Sequence, residues 1–224
     1  MESTKANKRT GGTRQRLLES ACVVFARKGY RTATIAEICE RARANIAAVN
    51  YHFGDKERLY VEAWRLAFGR SLKAHPPDGG VPGAAPAARR LGGRILAILR
   101  RISDPASYEF DIIHKELANP TGLLAEVIRE SIEPIRQGLR GIVRELLGPR
   151  AREQNVLLCM MSIRSQCFDA MGRRCSGRAF AGRALPDEVP LAELDVKVIA
   201  EHIARFSLAG IREMRRRIDR GEME

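Results

Sequence analysis

Between Thr34 and Tyr60 the chain reads TIAEICERARANIAAVNYHFGDKERLY, and these 27 residues constrain the fold more than any other stretch. Thr34 followed three residues later by Glu37 is a capping-box pattern, which starts a helix. Ile35, Ile38, Cys39 and Ala42 then recur at i, i+3, i+4 and i+7 and make one apolar face. Asn45 is suited to cap a second helix whose Ile46, Val49 and Phe53 lie on one side. Ala47, Asn50 and Tyr51 are left on the other faces. Two short helices joined by a turn of about three or four residues form a helix-turn-helix, whose second helix fits a major groove.

Charge agrees with that geometry. Residues 1–75 hold 15 Lys and Arg against 7 Asp and Glu, a net of +8. Residues 76–224 hold 24 against 20, a net of +4 over twice the length. Positive charge is thus concentrated where a polyanion would be met. The five cysteines are odd in number, show no CxxC pair and lack metal-ligand spacing, which argues against a disulfide framework or a zinc site. Cys22, Cys39 and Cys159 sit among apolar neighbours, as buried reduced thiols in a cytoplasmic protein would. No apolar run approaches the ~18–20 residues needed to span a bilayer, so no membrane partner is expected. The polar opening MESTKANKRTGG is read as a flexible basic arm over residues 1–12, not a secretory signal.

Elsewhere the periodicity is helical and the architecture is predicted to be all-α, with about nine helices. A helix precedes the pair from Thr13, and a fourth starts at Asp55 and runs towards His75. PPDGGVPGAAPAA marks a loop near 76–88. RRLGGRILAILRRI carries Leu91, Ile95, Ile98 and Ile102 along one face. Asp104-Pro105 reads as a cap followed by Pro at the first helical position. From Thr121 to Leu147 apolar residues keep helical spacing, with Pro134 expected to kink or split the run. AREQNVLLCMMSIRSQCFDAM is another apolar helix. A loop near 175–194 follows, and Asp195 opens a last helix to about Arg217.

Thr13 to Trp64 resembles the DNA-binding domain of the TetR family of bacterial regulators. The resemblance is carried by TRQRLLESACVVFARKGY, the helix pair, and YHFGDKERLY, which is similar to the family's Tyr-x-x-Phe-x-x-Lys-x-x-Leu. One position departs: Ala42-Arg43 stands where the family usually has Ala-Gly, and a left-handed backbone there costs arginine about 1–2 kcal/mol. HKELANPTG, SIEPIRQGLRGIVRELLG, SIRSQCFDAMGRR and AEHIARFSLAGI resemble the C-terminal domain of the CecR-type branch. The resemblance implies a helix-turn-helix head over 13–60 and an effector-binding and dimerisation domain over 61–224. In that branch the C-terminal helices form an effector cavity and the last two make a four-helix dimer interface.

Candidate contacts follow. The N–H groups of the helix turn capped by Asn45 suit a phosphate. Ala47 and Ala48 are small enough to let that helix sit deep against a thymine methyl, and Asn50 suits a bidentate contact to adenine. Arg43 is placed to reach a phosphate or a guanine edge. Tyr51, His52 and Lys56 match family positions that contact phosphates, and Thr34 and Ile46 complete the expected DNA-facing set. The effector cavity is expected to draw on Trp64, Phe68, His114, Met160, Arg164 and Cys167. The dimer interface is expected to use Ile163, Gln166, Ile199, Ile203 and Phe206. Asp111 and His114 share a helix face, but Glu116 is displaced from it, so neither catalytic nor metal chemistry is expected and no cofactor is implied.

The leading expectation is a ligand-responsive repressor, binding double-stranded DNA as a homodimer on a palindromic operator and released by a small-molecule effector. The alternatives are an effector-independent DNA-binding protein with a filled core and a helical enzyme with a basic head. Neither a nucleophile–base pair nor metal-spaced ligands favour the enzyme.

Overall fold

The computed structural model describes the backbone of residues 2–179 and 194–222, and side chains over 12–168 and 194–222. Among the described residues there are nine helices and no strand. They are α1 (Glu2–Thr32), α2 (Ile35–Ala42), α3 (Ile46–Phe53), α4 (Lys56–Ala74), α5 (Ala87–Ser103), α6 (Glu109–Ala118), α7 (Ala125–Leu147), α8 (Glu153–Ala179) and α9 (Val196–Asp219). The chain forms two compact units. One comprises Met1–Lys73 with Pro105–Ser131, the other Ala74–Asp104 with Ile132–Glu224.

The first unit is larger than the expected 13–60 head because α4 and α6 are bound into it. Leu17, Ala21 and Phe25 of α1 are buried with Ile38 of α2, Val49 and Phe53 of α3, and Leu59, Tyr60, Ala63 and Trp64 of α4. The Cys22 thiol donates to the Ala63 carbonyl across 3.1 Å, and the Phe25 ring meets Tyr60 edge-on at 4.8 Å. From α6, Ile112 is fully buried and Glu116 is nearly so.

Glu116 gathers several hydrogen-bond donors in this unit. Its carboxylate accepts from the Tyr60 hydroxyl at 3.1 Å, from the Thr121 N–H at 2.9 Å and from the Gly122 N–H at 3.1 Å. The Thr121 hydroxyl lies 2.8 Å from one carboxylate oxygen and 3.0 Å from the other. A buried carboxylate is tolerated only when its lone pairs are filled, and these donors fill them. Burial and the adjacent Glu116 carboxylate push the Tyr60 phenol above its ordinary range, so it stays a donor. Thr121 is thereby used to tie down the turn after α6, and α7 begins at Ala125 instead of Thr121.

In the second unit Leu91, Ile95 and Leu99 of α5, Ile142, Val143 and Leu147 of α7, Val156, Met160, Ile163 and Cys167 of α8, and Ile199, Ile203 and Ile211 of α9 are buried. Helix ends are matched by opposite charge. Arg215 donates to the Leu146 carbonyl at the end of α7, and Arg150 to the Asp219 carbonyl at the end of α9. Glu153 at the start of α8 pairs with Arg140 at 2.6 Å and with Arg144. Asp195 caps α9 through the Lys197 N–H at 2.7 Å.

Several local expectations change. The backbone of residues 2–12 is helical and belongs to α1. Pro105 lies in a turn and α6 starts only at Glu109. Asp104, expected to cap that helix, instead ends α5 and meets His75 Nε2 at 3.1 Å. Pro134 does not split α7: it is exposed, where the carbonyl left without its N–H donor stays open to solvent. The loop before α5 is packed, not a mere spacer. Gly79 has φ +64 and lies so close that a Cβ would strike the Gly93 carbonyl. Of the expected 175–194 loop, residues up to Ala179 are helical, and 180–193 lie outside the described residues.

Glu116→Ala strands the buried Tyr60 hydroxyl and takes the acceptor from the part-buried Thr121 and Gly122 N–H groups. It should cost about 3 kcal/mol, read as a lower urea midpoint with an unchanged slope.

Candidate nucleic-acid interface

The geometry of the interface is set by the turn between α2 and α3. The Thr34 hydroxyl accepts from the Glu37 N–H at 3.2 Å, and the Glu37 carboxylate accepts from the Thr34 N–H at 3.1 Å. Glu37 also pairs with Lys28, and that ion pair, more than the backbone bond, holds its carboxyl below the usual range. At the other end of α2 the Arg43 N–H donates to Glu40 O at 3.1 Å and the Ala44 N–H to Cys39 O at 2.9 Å. These two bonds make a Schellman motif, which needs a left-handed residue, and Arg43 supplies it at φ 51, ψ 51. The motif tolerates the strain and keeps its geometry. Arg16 of α1 adds a lock, its Nε donating to the Ala42 carbonyl across 3.2 Å.

α3 follows at once. The Asn45 side chain accepts from the Ala47 N–H at 3.0 Å. Val49 and Phe53 are buried, and the Arg14 guanidinium lies over the Phe53 ring at 5.1 Å. Asn45, Ala47 and Asn50 are exposed, and Tyr51 is 78% exposed with its ring edge-on to half-buried His52 at 4.9 Å. Ile46, read as part of the inner face with Val49 and Phe53, is instead 52% exposed. It is the first residue of the helix and overhangs the core edge, so the outward surface gains an apolar branch.

Cations surround this surface. Arg41 and Arg43 are exposed and have no acidic partner among the described residues. Lys56 opens α4, which Asp55 caps through the Arg58 N–H at 2.8 Å. The Lys56 ammonium sits over the Tyr30 ring, 4.4 Å from its centroid, and burial lowers its pKa. Thr34 is exposed at the start of α2. The expected DNA-facing residues therefore lie within one run of two helices, a turn and the next helix start. Two contributors were not legible in the sequence. Arg16 is 26 residues from Ala42, and Tyr30 is 26 from Lys56, distances over which periodicity carries no signal.

Residues 17–63 match the family model "Bacterial regulatory proteins, tetR family", and residues 88–211, more than half of the chain, match that of the C-terminal domain of the HTH-type transcriptional dual regulator CecR. The chain belongs to the TetR family. Its domain after the head is of the CecR type. It is 28% identical over 155 residues to the dual regulator CecR of Shigella flexneri, covering 65% of this chain and 69% of that one. It is 37% identical over 117 residues to the transcriptional repressor AcnR of Corynebacterium glutamicum, covering 52% and 54%. Its fold is that of a transcriptional regulator from Rhodococcus sp. Rha1, with TM-score 0.61 and 22% identity over 88% of this chain and 96% of that one. It is also that of AibR in complex with isovaleryl coenzyme A and operator DNA, with TM-score 0.62 and 17% identity over 87% and 97%. TetR-family proteins are DNA-binding transcriptional regulators, not enzymes.

The expected effector residues of this TetR-family regulator do not converge within either unit. Trp64 and Phe68 are buried in the first unit and stack with ring centroids 4.9 Å apart, but His114 on α6 is exposed. Met160 and Cys167 are buried in the second unit, seven residues apart on one face of α8, whereas Arg164 is exposed. The polar groups expected inside are thus on the surface. In the head, Arg16, Glu19, Ser20, Val23, Arg41 and Ala42 line a shallow, open groove of about 480 Å3.

The residues expected at a dimer interface are mostly packed against their own chain. Ile163, Ile199 and Ile203 are buried within their own chain, and Gln166 bonds the Ser207 hydroxyl of α9 at 3.4 Å. These residues lie on the inner faces of α8 and α9. Phe206 remains outside, 65% exposed.

Arg43→Gly should raise the stability of the head by about 1 kcal/mol, since glycine adopts the left-handed turn freely. Arg43→Ala removes the same side chain but keeps the strain. Equal losses of DNA affinity in the two variants, with only the first stabilised in urea, would assign Arg43 a contact with DNA.

Proposed function

We propose that this regulator is a repressor that binds a palindromic operator as a homodimer in the cytoplasm. The observation that carries the reading is the outward face of α3. It is capped at Asn45, anchored by buried Val49 and Phe53, and free at Ala47, Asn50 and Tyr51. In this reading Asn50 reads an adenine edge, while Ala47 and Ile46 meet thymine methyls. Tyr51, His52, Lys56, Arg43, Thr34 and the first-turn N–H groups hold the backbone. The repressor sign is supported by the similarity to the transcriptional repressor AcnR.

Dimerisation is supported by an apolar surface on the second unit. Leu157, Met161 and Phe168 project from α8, and Val198 and Phe206 from α9, all substantially exposed. Such residues in neighbouring helices suit a second copy, which would complete a four-helix interface. The interface assigned here is therefore this outer face, with Phe206 its one residue shared with the sequence expectation.

Effector response is supported by AibR, which binds isovaleryl coenzyme A together with operator DNA, and by the Trp64 indole N–H, buried without an acceptor. The effector would act by population shift, favouring a dimer whose two α3 helices are wrongly spaced for successive grooves. Exposed His114 and Arg164 favour a second reading, an effector-independent DNA-binding protein.

Selection from random duplexes should return a palindrome, with affinity falling by about 0.9 log units per log unit of salt for each phosphate neutralised. Asn50→Ala should cost about 1–3 kcal/mol, mainly at one base pair of each half-site. Equal weakening on operator and random DNA would remove its reading role.

Met161→Glu with Phe206→Glu should give monomers by sedimentation at micromolar protein. A dimer persisting in that variant would displace the proposed interface.

A further inference from the structure

The first unit holds Lys56 in an unusual way. Its ammonium rests on the Tyr30 ring and not on a carboxylate, and no acidic partner is recorded for it among the described residues. An aromatic face attracts a cation through its quadrupole without consuming a particular N–H donor. A lysine in a salt bridge would have to break it to meet a phosphate. A lysine lying on a ring keeps its outer N–H groups available.

Tyr30 is itself fixed. It follows Gly29, whose φ 75 and ψ 174 kink the chain inside α1, three residues before that helix ends. Its ring lies 5.1 Å from that of Tyr60. Tyr60 in turn is held edge-on by Phe25 and by its hydrogen bond to Glu116. The ring under Lys56 is thus backed by buried side chains from α1, α4 and α6.

We propose that Tyr30 is a positioning residue for DNA binding, its ring holding the Lys56 ammonium at the start of α4 where a backbone phosphate accepts from it. The inference rests on the reading of Lys56 as a phosphate contact. Four rotatable bonds otherwise let the ammonium sample many positions, and the ring removes most of that freedom before DNA arrives.

The test is a double-mutant cycle on operator affinity across a salt series, using wild type, Lys56→Ala, Tyr30→Leu and the double variant. Lys56→Ala should lower the magnitude of the log–log salt slope by about 0.9 per half-site. An unchanged slope there would overturn the phosphate reading and the inference with it. If the slope does fall, Tyr30→Leu should weaken binding about fivefold, lower the slope part of the way, and add nothing to Lys56→Ala. Additive losses, an unchanged slope in Tyr30→Leu, or tighter binding would overturn the role of Tyr30 alone. Should Tyr30→Leu fail to fold, Tyr30→Phe and ring-fluorinated phenylalanines at position 30 keep the volume while weakening the quadrupole. Affinity should be retained by Tyr30→Phe and fall with each added fluorine. A flat fluorine series would overturn the proposal.

Discussion

An isolated helix of eight residues is not stable in water, because nucleation costs more than so few hydrogen bonds return. α3 has that length, so its shape depends on what surrounds it. Val49 and Phe53 anchor its inner face, the Asn45 side chain caps its first turn, and the Schellman turn at Arg43 sets its direction. Arg16 holds that turn from α1. The DNA-facing surface is therefore a product of the head's core, and a lost contact at Phe53 or Ala42 would be felt by side chains that touch neither.

The left-handed arginine shows how much strain such a turn accepts. Glycine would adopt φ 51 freely, yet the two backbone bonds to Glu40 and Cys39 form with Arg43 in place. The cost falls on stability. The gain, on the proposed reading, is one more cation at the edge of α3, in a position where the backbone fixes its exit direction.

Local chemistry made part of this molecule legible from sequence. The caps at Thr34, Asn45 and Asp195 involve partners two or three residues away, so the residue types announce them. The family pattern placed α4 and its lysine. What stayed hidden is long-range or degenerate. Glu116 looked displaced from Asp111 and His114, and its true partner Tyr60 is 56 residues distant. On α9 hydrophobic spacing grouped Phe206 with Ile199 and Ile203, yet Ile199 and Ile203 are buried and Phe206 is exposed. Pattern reading finds that a face is apolar; only packing decides whether it meets its own chain or is left outward.

The four cysteines with described side chains are poor candidates for a redox or metal signal. Thiolate is the form that reacts with oxidants and binds metals. Burial pushes the Cys22 and Cys167 thiols up to about 12, and raises those of Cys39 and Cys159 as well. Among the described residues no group of His, Cys, Asp and Glu is arranged to hold a metal ion. Cys22 is further committed to the Ala63 carbonyl, where oxidation would break the contact between α1 and α4 instead of tuning it. These four thiols serve packing, and sensing through them would require the core to open first. The alternative to a response through these four thiols is non-covalent binding that differs between two states. Such binding obeys linkage: an effector that lowers operator affinity by some factor is itself bound more weakly, by the same factor, when operator is present.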